Sequence, residues 1–376
     1  MKPSWKLEMI IAAKPYSPLA QACQVHPASL KFKFYPMGRD ALVAGLRQVI
    51  EPGGGRVLFP AFYCEGTVRA VRAAGYEVEF LDLSDALLWS EDAVEEMIAK
   101  RTIGAIVITD YFGWRPRNLE SIIAICRAHA LTVVRDCCHS ALSWSSDDPP
   151  ADVTIFSFRK LLPVVDGGAL LANGAEFVES KPGTLPVAGR GGVVGEVLYA
   201  CERFVFQRQV FNPYPLMDGV RKLGMLVGAM TRTGSATSRE SAPSTALVNW
   251  LRNEAEVLRV GSRRRDNALG LGRLVREVPG IQLALPEPGV RDSPQVLPMR
   301  VRNARKFVSA LRRRGIGATT WPGPELPIEV ARRTDLYPKA NQLAKQIVCL
   351  PIHQDVSTRE TEYMAHVIQA LDNQNA

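Results

Sequence analysis

Leu131-Thr132-Val133-Val134-Arg135-Asp136 runs into Cys137-Cys138-His139, and Val153-Thr154-Ile155-Phe156-Ser157 runs into Phe158-Arg159-Lys160. Each is a short, β-branched, apolar run that ends on a charged side chain. Runs of this length without strict polar alternation fit strands buried on both faces. Working outward, similar runs occur at Val57-Leu58-Phe59, Glu77 to Leu81, Ala105 to Thr109 and Ala169 to Ala172. Amphipathic stretches at Gly66 to Ala74, Ala93 to Lys100 and Leu119 to His129 separate them. Upstream, Gly38 to Ile50 reads as a further helix, stopped by Pro52-Gly53-Gly54-Gly55. Strands alternating with helices give an α/β fold, a mostly parallel central sheet flanked by helices. Such sheets place their chemistry at the carboxyl ends of the strands, where Asp136 and Lys160 stand.

The remaining sequence divides differently. Gly189-Arg190-Gly191-Gly192 precedes an apolar stretch from Val193 to Phe211, which reads as core, dimer face or membrane-surface patch. A Ser/Thr-rich segment, Thr231 to Ser244, reads as a connection or surface loop. After it come one long predicted helix from Leu247 to Val278, a strand at Gln295 to Val301 and a basic helix from Ala304 to Arg314. The expectation is a large domain over 30–245 and a smaller carboxyl-terminal α+β domain over 246–376.

Composition narrows the classes. A chain of 376 residues, 47% hydrophobic, can bury a full core. Met1 to Leu19 holds only the brief apolar run Met9 to Ala13, too short for a signal core or a membrane span, so the expected location is cytoplasmic. Seven cysteines with no C-x-x-C spacing, and histidines that complete no zinc pattern, predict neither structural disulfides nor a metal site. The net charge of +8 is concentrated in runs such as Arg263-Arg264-Arg265 and Arg312-Arg313-Arg314. These fit solvated helix faces, attraction of a phosphorylated substrate, or contact with an acidic partner or membrane surface. No aromatic residues interleave them, so nucleic acid is the weakest partner.

Asp136 alone would read as a helix cap, and Arg159-Lys160 alone as a surface pair. Together, with Asp166-Gly167-Gly168 allowing close backbone approach, they supply the two groups that pyridoxal phosphate needs. A lysine anchors the aldehyde carbon of that cofactor and carries a proton. A carboxylate against the ring nitrogen keeps it protonated, since an opposite charge at contact shifts a pKa by about 1–3 units. The phosphate requires donors, and Met37-Gly38-Arg39-Asp40 opens the first helix with free N–H groups, with the Ser157 hydroxyl in reserve.

These residues resemble the DegT/DnrJ/EryC1/StrS sugar aminotransferases, within fold type I of the pyridoxal-phosphate enzymes. The likeness runs from Gly38-Arg39-Asp40-Ala41-Leu42 through Pro60-Ala61-Phe62-Tyr63-Cys64-Glu65-Gly66-Thr67, Ala73-Ala74-Gly75 and Tyr111-Phe112-Gly113. It continues through Arg135-Asp136-Cys137-Cys138-His139, Phe156 to Lys160 and Asp166-Gly167-Gly168 to Arg314-Gly315-Ile316-Gly317 and Leu350-Pro351-Ile352-His353. The resemblance implies Lys160 as the Schiff-base lysine, Asp136 as the ring-nitrogen partner and His139 against the ring. It implies Gly38, Arg39 and Ser157 around the phosphate.

Three departures stand out. The Ser157-to-Lys160 spacing is compact. The position of the ring-stacking aromatic falls on Cys64, leaving Tyr63 or His139 as substitutes. No Gly-Tyr-Asn-x-Arg segment, through which many members reach the partner subunit's site, occurs in the chain; Ser238-Arg239-Glu240-Ser241 is a poor stand-in. By resemblance the chain forms a homodimer and transfers nitrogen from an amino acid, glutamate first among donors, to a nucleotide-linked keto-sugar. Two rivals remain: a deoxysugar dehydratase, which intact Lys160 argues against, and a non-catalytic binding or regulatory descendant, which intact Lys160 and Asp136 both argue against.

Overall fold

In the computed structural model the described residues are 32–144, 147–164, 166–172, 243–323 and 326–373. The apolar stretch Val193 to Phe211, nearly all of the Ser/Thr segment and the amino-terminal run lie outside them.

The first lobe is a seven-stranded sheet. Its strands are β1 (Phe32–Tyr35), β2 (Arg56–Pro60), β3 (Val78–Leu81), β4 (Ile103–Thr109), β5 (Thr132–Cys137), β6 (Val153–Ser157) and β7 (Gly168–Ala172), in the order β1-β7-β6-β5-β4-β2-β3. β3, β2, β4, β5 and β6 pair in parallel, and β7 runs antiparallel to both β6 and β1. The helices α1 (Gly38–Val49), α2 (Glu65–Ala73), α3 (Glu91–Lys100) and α4 (Leu119–Ala128) are the connections. Each begins and ends within two residues of the sequence expectation, because apolar periodicity and the glycine and proline breakers coincide there. The short edge strand β1, with only four residues, carries too little pattern to be read from sequence.

The expected single helix from Leu247 to Val278 is two: α5 (Thr245–Arg252) and α6 (Glu254–Arg276). The break is at Asn253, whose backbone leaves the helical region and whose side chain accepts from the Glu256 N–H, capping α6. Asparagine bonds locally to the backbone and so competes with a continuous helix.

The second lobe has a four-stranded antiparallel sheet of β8 (Gln282–Leu283), β9 (Val296–Arg300), β10 (Thr319–Thr320) and β11 (Ile347–Pro351), ordered β10-β11-β9-β8. Around it lie α7 (Ala304–Arg313), α8 (Ile328–Arg332), α9 (Pro338–Gln346) and α10 (Thr358–Asn373). Leu271, Val275, Met299, Leu311, Val348, Leu350 and Ile368 form its separate core. Among the described residues no helix is long and apolar enough to cross a membrane.

Several contacts join the chain beyond residue 243 to the carboxyl ends of the first sheet, among them the two that follow. Ser244 caps α5 through its hydroxyl and also bonds Asp166, its N–H to Oδ2 at 2.8 Å and its Oγ to Oδ1 at 2.7 Å. Gly113, at φ 102°, lets the turn Tyr111–Gly113 pass so close to Ser293 and Pro294 that a Cβ would fall 2.7 Å from the Ser293 carbonyl oxygen. Removing the Ser244 hydroxyl takes away a helix cap and a carboxylate bond together. Ser244→Ala is expected to cost about 1–2 kcal/mol, read as a lowered denaturation midpoint in urea.

Candidate active site

The parallel register sets Thr109 beside Asp136 and Asp136 beside Ile155, so β4, β5 and β6 end at a common level. Asp136, the penultimate residue of β5, is 6% exposed. Its Oδ1 accepts the Cys138 N–H at 2.9 Å, and its Oδ2 accepts the Tyr63 hydroxyl in a short hydrogen bond. Burial first, and then the Asp136 charge, push the Tyr63 phenol well above its ordinary range, so it stays protonated and donates. Tyr63 packs its ring on Phe59, with centroids 5.1 Å apart. Its place in the site is as the donor that orients Asp136.

Lys160 closes a single 3₁₀ turn, Phe158–Lys160, directly after β6. The compact spacing from Ser157 is this turn: Leu161 N–H and Leu162 N–H both bond the Phe158 carbonyl, at 2.9 and 2.7 Å. Arg264 of α6 reaches across and donates to the Leu161 carbonyl at 2.9 Å. The Cys64 thiol, pushed up by burial, is pulled down by Lys160, pushed up by Asp136 and pulled down by Arg39. Lys160, Asp136 and Arg39 are thus the charges that act on this one sulfur atom.

His139 lies three residues after Asp136, where β5 has turned away from the sheet. Its Nδ1 accepts the Phe112 N–H at 3.1 Å. Phe112 presents that N–H from a left-handed backbone, φ 58°, a conformation that a non-glycine residue adopts at a cost of order 1–3 kcal/mol. Burial, and next the Lys160 charge, hold the His139 imidazole well below its usual pKa. The ring is therefore neutral, and with Nδ1 occupied as acceptor its proton sits on Nε2.

Ser157 is buried at the end of β6, and Gly38 opens α1 against it. A Cβ on Gly38 would stand 2.7 Å from Cys138 Sγ and 3.2 Å from Ser157 Cβ, so only a bare backbone fits at this helix start.

Every residue expected from sequence, Gly38, Arg39, Tyr63, Cys64, Asp136, His139, Ser157 and Lys160, lies at this one end of the sheet. Trp321, which sequence reading missed, joins them from the second lobe at the end of β10. Its indole meets His139 edge-on at 5.8 Å and also packs on Phe62, Tyr111 and Phe112. The next residue, Pro322, accepts the Cys64 thiol through its carbonyl at 3.1 Å. The only local signal was an aromatic-proline-glycine corner, Trp321-Pro322-Gly323, after a predicted-basic helix and a two-residue strand.

A buried carboxylate held by two donors, a lysine at the next strand end and a bare helix start thus stand together at the carboxyl ends of a mostly parallel α/β sheet. Residues 37–189 match the profile of the DegT/DnrJ/EryC1/StrS aminotransferase family. The chain is 30% identical over 147 residues to the UDP-N-acetyl-3-dehydro-alpha-D-glucosamine 3-aminotransferase of Acidithiobacillus ferrooxidans, an alignment spanning 37% of this chain and 39% of that relative. Its fold matches the aminotransferase TlmJ from Streptoalloteichus hindustanus with a TM-score of 0.66 at 18% identity, over 98% of this chain and 91% of that one. It also matches DesV of S. venezuelae with a TM-score of 0.65 at 20% identity, over 99% and 90% of the two chains.

The neutral state of His139 gives stability a definite pH dependence. Its folded-state pKa is depressed, so the unfolded chain takes up the proton more readily once pH falls below about 6.5. Stability from this residue is complete above that value and declines below it, by at most about 1.4 kcal/mol per pH unit. Urea unfolding at a series of pH values should show a shallower acid-side decline for His139→Gln than for the wild type.

Proposed function

We propose that this chain is a pyridoxal-phosphate-dependent aminotransferase that moves an amino group from an amino acid, glutamate in the first instance, to a keto-sugar. The acceptor is nucleotide-linked and belongs to polysaccharide or natural-product assembly. The observation that carries this conclusion is that Asp136 and Lys160 lie at the ends of adjacent parallel strands. The family match and the named sugar substrate of the Acidithiobacillus relative support the substrate class. The same reading takes the chain as a cytoplasmic homodimer with a cofactor-binding domain over 30–245 and a small domain over 246–376.

The residues fit the cofactor. This end of the sheet offers a carboxylate, an amine and a helix start that a single Cβ would block. When bound, pyridoxal phosphate supplies the electron sink that makes removal of a proton from the amino-bearing carbon feasible. Lys160 holds the aldehyde end and moves that proton at its Nζ. Asp136 keeps a proton on the ring nitrogen. The Tyr63 hydroxyl and the Cys138 N–H fix the carboxylate so that it need not reorganise. His139, neutral and protonated at Nε2, presents a donor toward the ring without adding a positive charge beside Lys160. Trp321 and Pro322 bring the second lobe against His139 and Cys64.

Borohydride treatment of the purified, cofactor-loaded protein should leave a pyridoxyl group on the peptide that contains Lys160, found by mass spectrometry; an adduct on another lysine would defeat the assignment. Incubation with glutamate should convert the bound cofactor to pyridoxamine phosphate, and a panel of nucleotide keto-sugars should then identify the acceptor by the mass of its aminated product. Asp136→Asn preserves the hydrogen-bonding shape and removes the charge. Its kcat is expected to fall about 10- to 1,000-fold, the rate equivalent of the 1–3 pKa units that a contact carboxylate provides.

A further inference from the structure

The net charge is unevenly shared. Residues 243–373 hold 20 Lys and Arg against 13 Asp and Glu, so the second lobe and the helices that lead into it carry nearly all of the chain's +8. No Asp or Glu occurs over residues 293–324, and α7 lies inside that span. Ala304, Phe307, Val308 and Leu311 turn the apolar side of α7 into the core, while Arg302, Arg305, Lys306, Ser309 and Arg313 are exposed. Spacings of three and four residues put the last four of these on one stripe, with Arg302 just ahead of it.

Two features of the stripe point to an anion outside the fold. Arg305 and Lys306 stand in the first turn of α7, which holds no acid, at the end where the helix's own N–H groups already supply positive potential. Cations belong at the other end. Arg312 and Arg314 follow that rule, donating to the Ala318 and Ala310 carbonyls at 2.9 and 3.2 Å. Arg305 and Lys306 break it, and proteins keep such local violations where function needs them. From Arg302 to Arg313 the stripe is about 16 Å long at the helical rise per residue. That is too long for one phosphate group and suits a surface that repeats its negative charges.

No apolar side chain interrupts the exposed face, so it lacks the dry centre of a protein–protein contact, and it offers bases no aromatic platform. Beside its far end Tyr363 of α10, 50% exposed, donates its hydroxyl to the Arg314 carbonyl at 3.0 Å. An aromatic ring with a polar tip suits the headgroup layer of a bilayer. We propose that α7 lays this stripe on an anionic phospholipid bilayer and holds the protein at the membrane surface by charge rather than by insertion. The proposal is independent of the cofactor assignment above.

The test is co-sedimentation of the full chain with phosphatidylcholine vesicles prepared with and without phosphatidylglycerol. The protein should pellet only with the anionic vesicles, and rising salt should release it. Each of Arg302→Gln, Arg305→Gln, Lys306→Gln and Arg313→Gln should weaken binding about fivefold, the ordinary worth of one cation near an anionic leaflet. The double variant Lys100→Gln, Arg101→Gln removes two exposed charges from the first lobe and should leave binding unchanged. The proposal is overturned if the wild type ignores anionic vesicles at low salt. It is also overturned if the first-lobe variant weakens binding as much as the α7 variants do, which would make net charge the cause. A single-stranded oligonucleotide that displaces the vesicles and binds the stripe more tightly would assign it to nucleic acid. A raised KM for the nucleotide sugar in the α7 variants, with vesicle binding unchanged, would assign it to the substrate; either result also overturns the proposal.

Discussion

The site depends on a buried guanidinium. Arg135 is 2% exposed, and Asp110 grips it through two oxygens at 2.8 and 3.2 Å while Asp148 holds it at 2.6 Å. Successive side chains on a strand point to opposite faces, so Arg135 and Asp136 are committed to opposite sides of β5. Fixing one fixes the other. A slip of one residue would bury Asp136 against two acids and turn Arg135 to the face that Asp136 now occupies. Ser140 adds its hydroxyl to Asp110 at 2.8 Å, and the Asp110 N–H bonds the Asp136 carbonyl at 3.0 Å. The end of β4, the end of β5 and the turn carrying Cys138 and His139 are therefore tied into one unit. Buried ion pairs add little net stability, because desolvation consumes much of the Coulombic gain. Their removal one partner at a time is costly, and that asymmetry makes Arg135 a determinant of register.

The second lobe completes what the first sheet begins. Arg264 steadies the turn that carries Lys160 through the Leu161 carbonyl, and the Gln295 N–H bonds the Phe112 carbonyl at 2.7 Å beside the His139 contact. Trp321 sets an aromatic edge against His139. Lys160, His139 and Cys64 therefore each have a contact, direct or through one intermediate residue, with a chain segment more than a hundred residues away. A position such as Cys64, where a ring was expected, need not carry the ring itself when the opposite lobe supplies one nearby.

What sequence made legible was local. The strands and helices between Arg56 and Ala172 followed from apolar runs and from breakers such as Pro52-Gly53-Gly54-Gly55, and strand ends then pointed to Asp136 and Lys160. The helix break at Asn253 was missed because a single capping residue carries less weight than the apolar pattern on either side of it. The bond from Tyr63 to Asp136 spans 73 positions and follows from the packing of β2 beside β4 and β5, not from any spacing in the chain. The same holds for Arg135 with Asp110 and Asp148, and for Trp321. A ring or a guanidinium brought in by tertiary packing leaves no periodic trace, whereas an amphipathic helix does.

The reach of Arg264 into the Lys160 turn bears on how such proteins can be recombined. It bonds the Gln295 carbonyl at 2.9 Å in its own lobe as well as the Leu161 carbonyl in the other, and it is almost wholly enclosed. The two lobes are thus not interchangeable modules. A chimaera that joined this large lobe to a foreign small lobe without an arginine at that point would leave a carbonyl orphaned one peptide from the amine, so crossover points chosen for graft experiments must keep α6 with the sheet it braces.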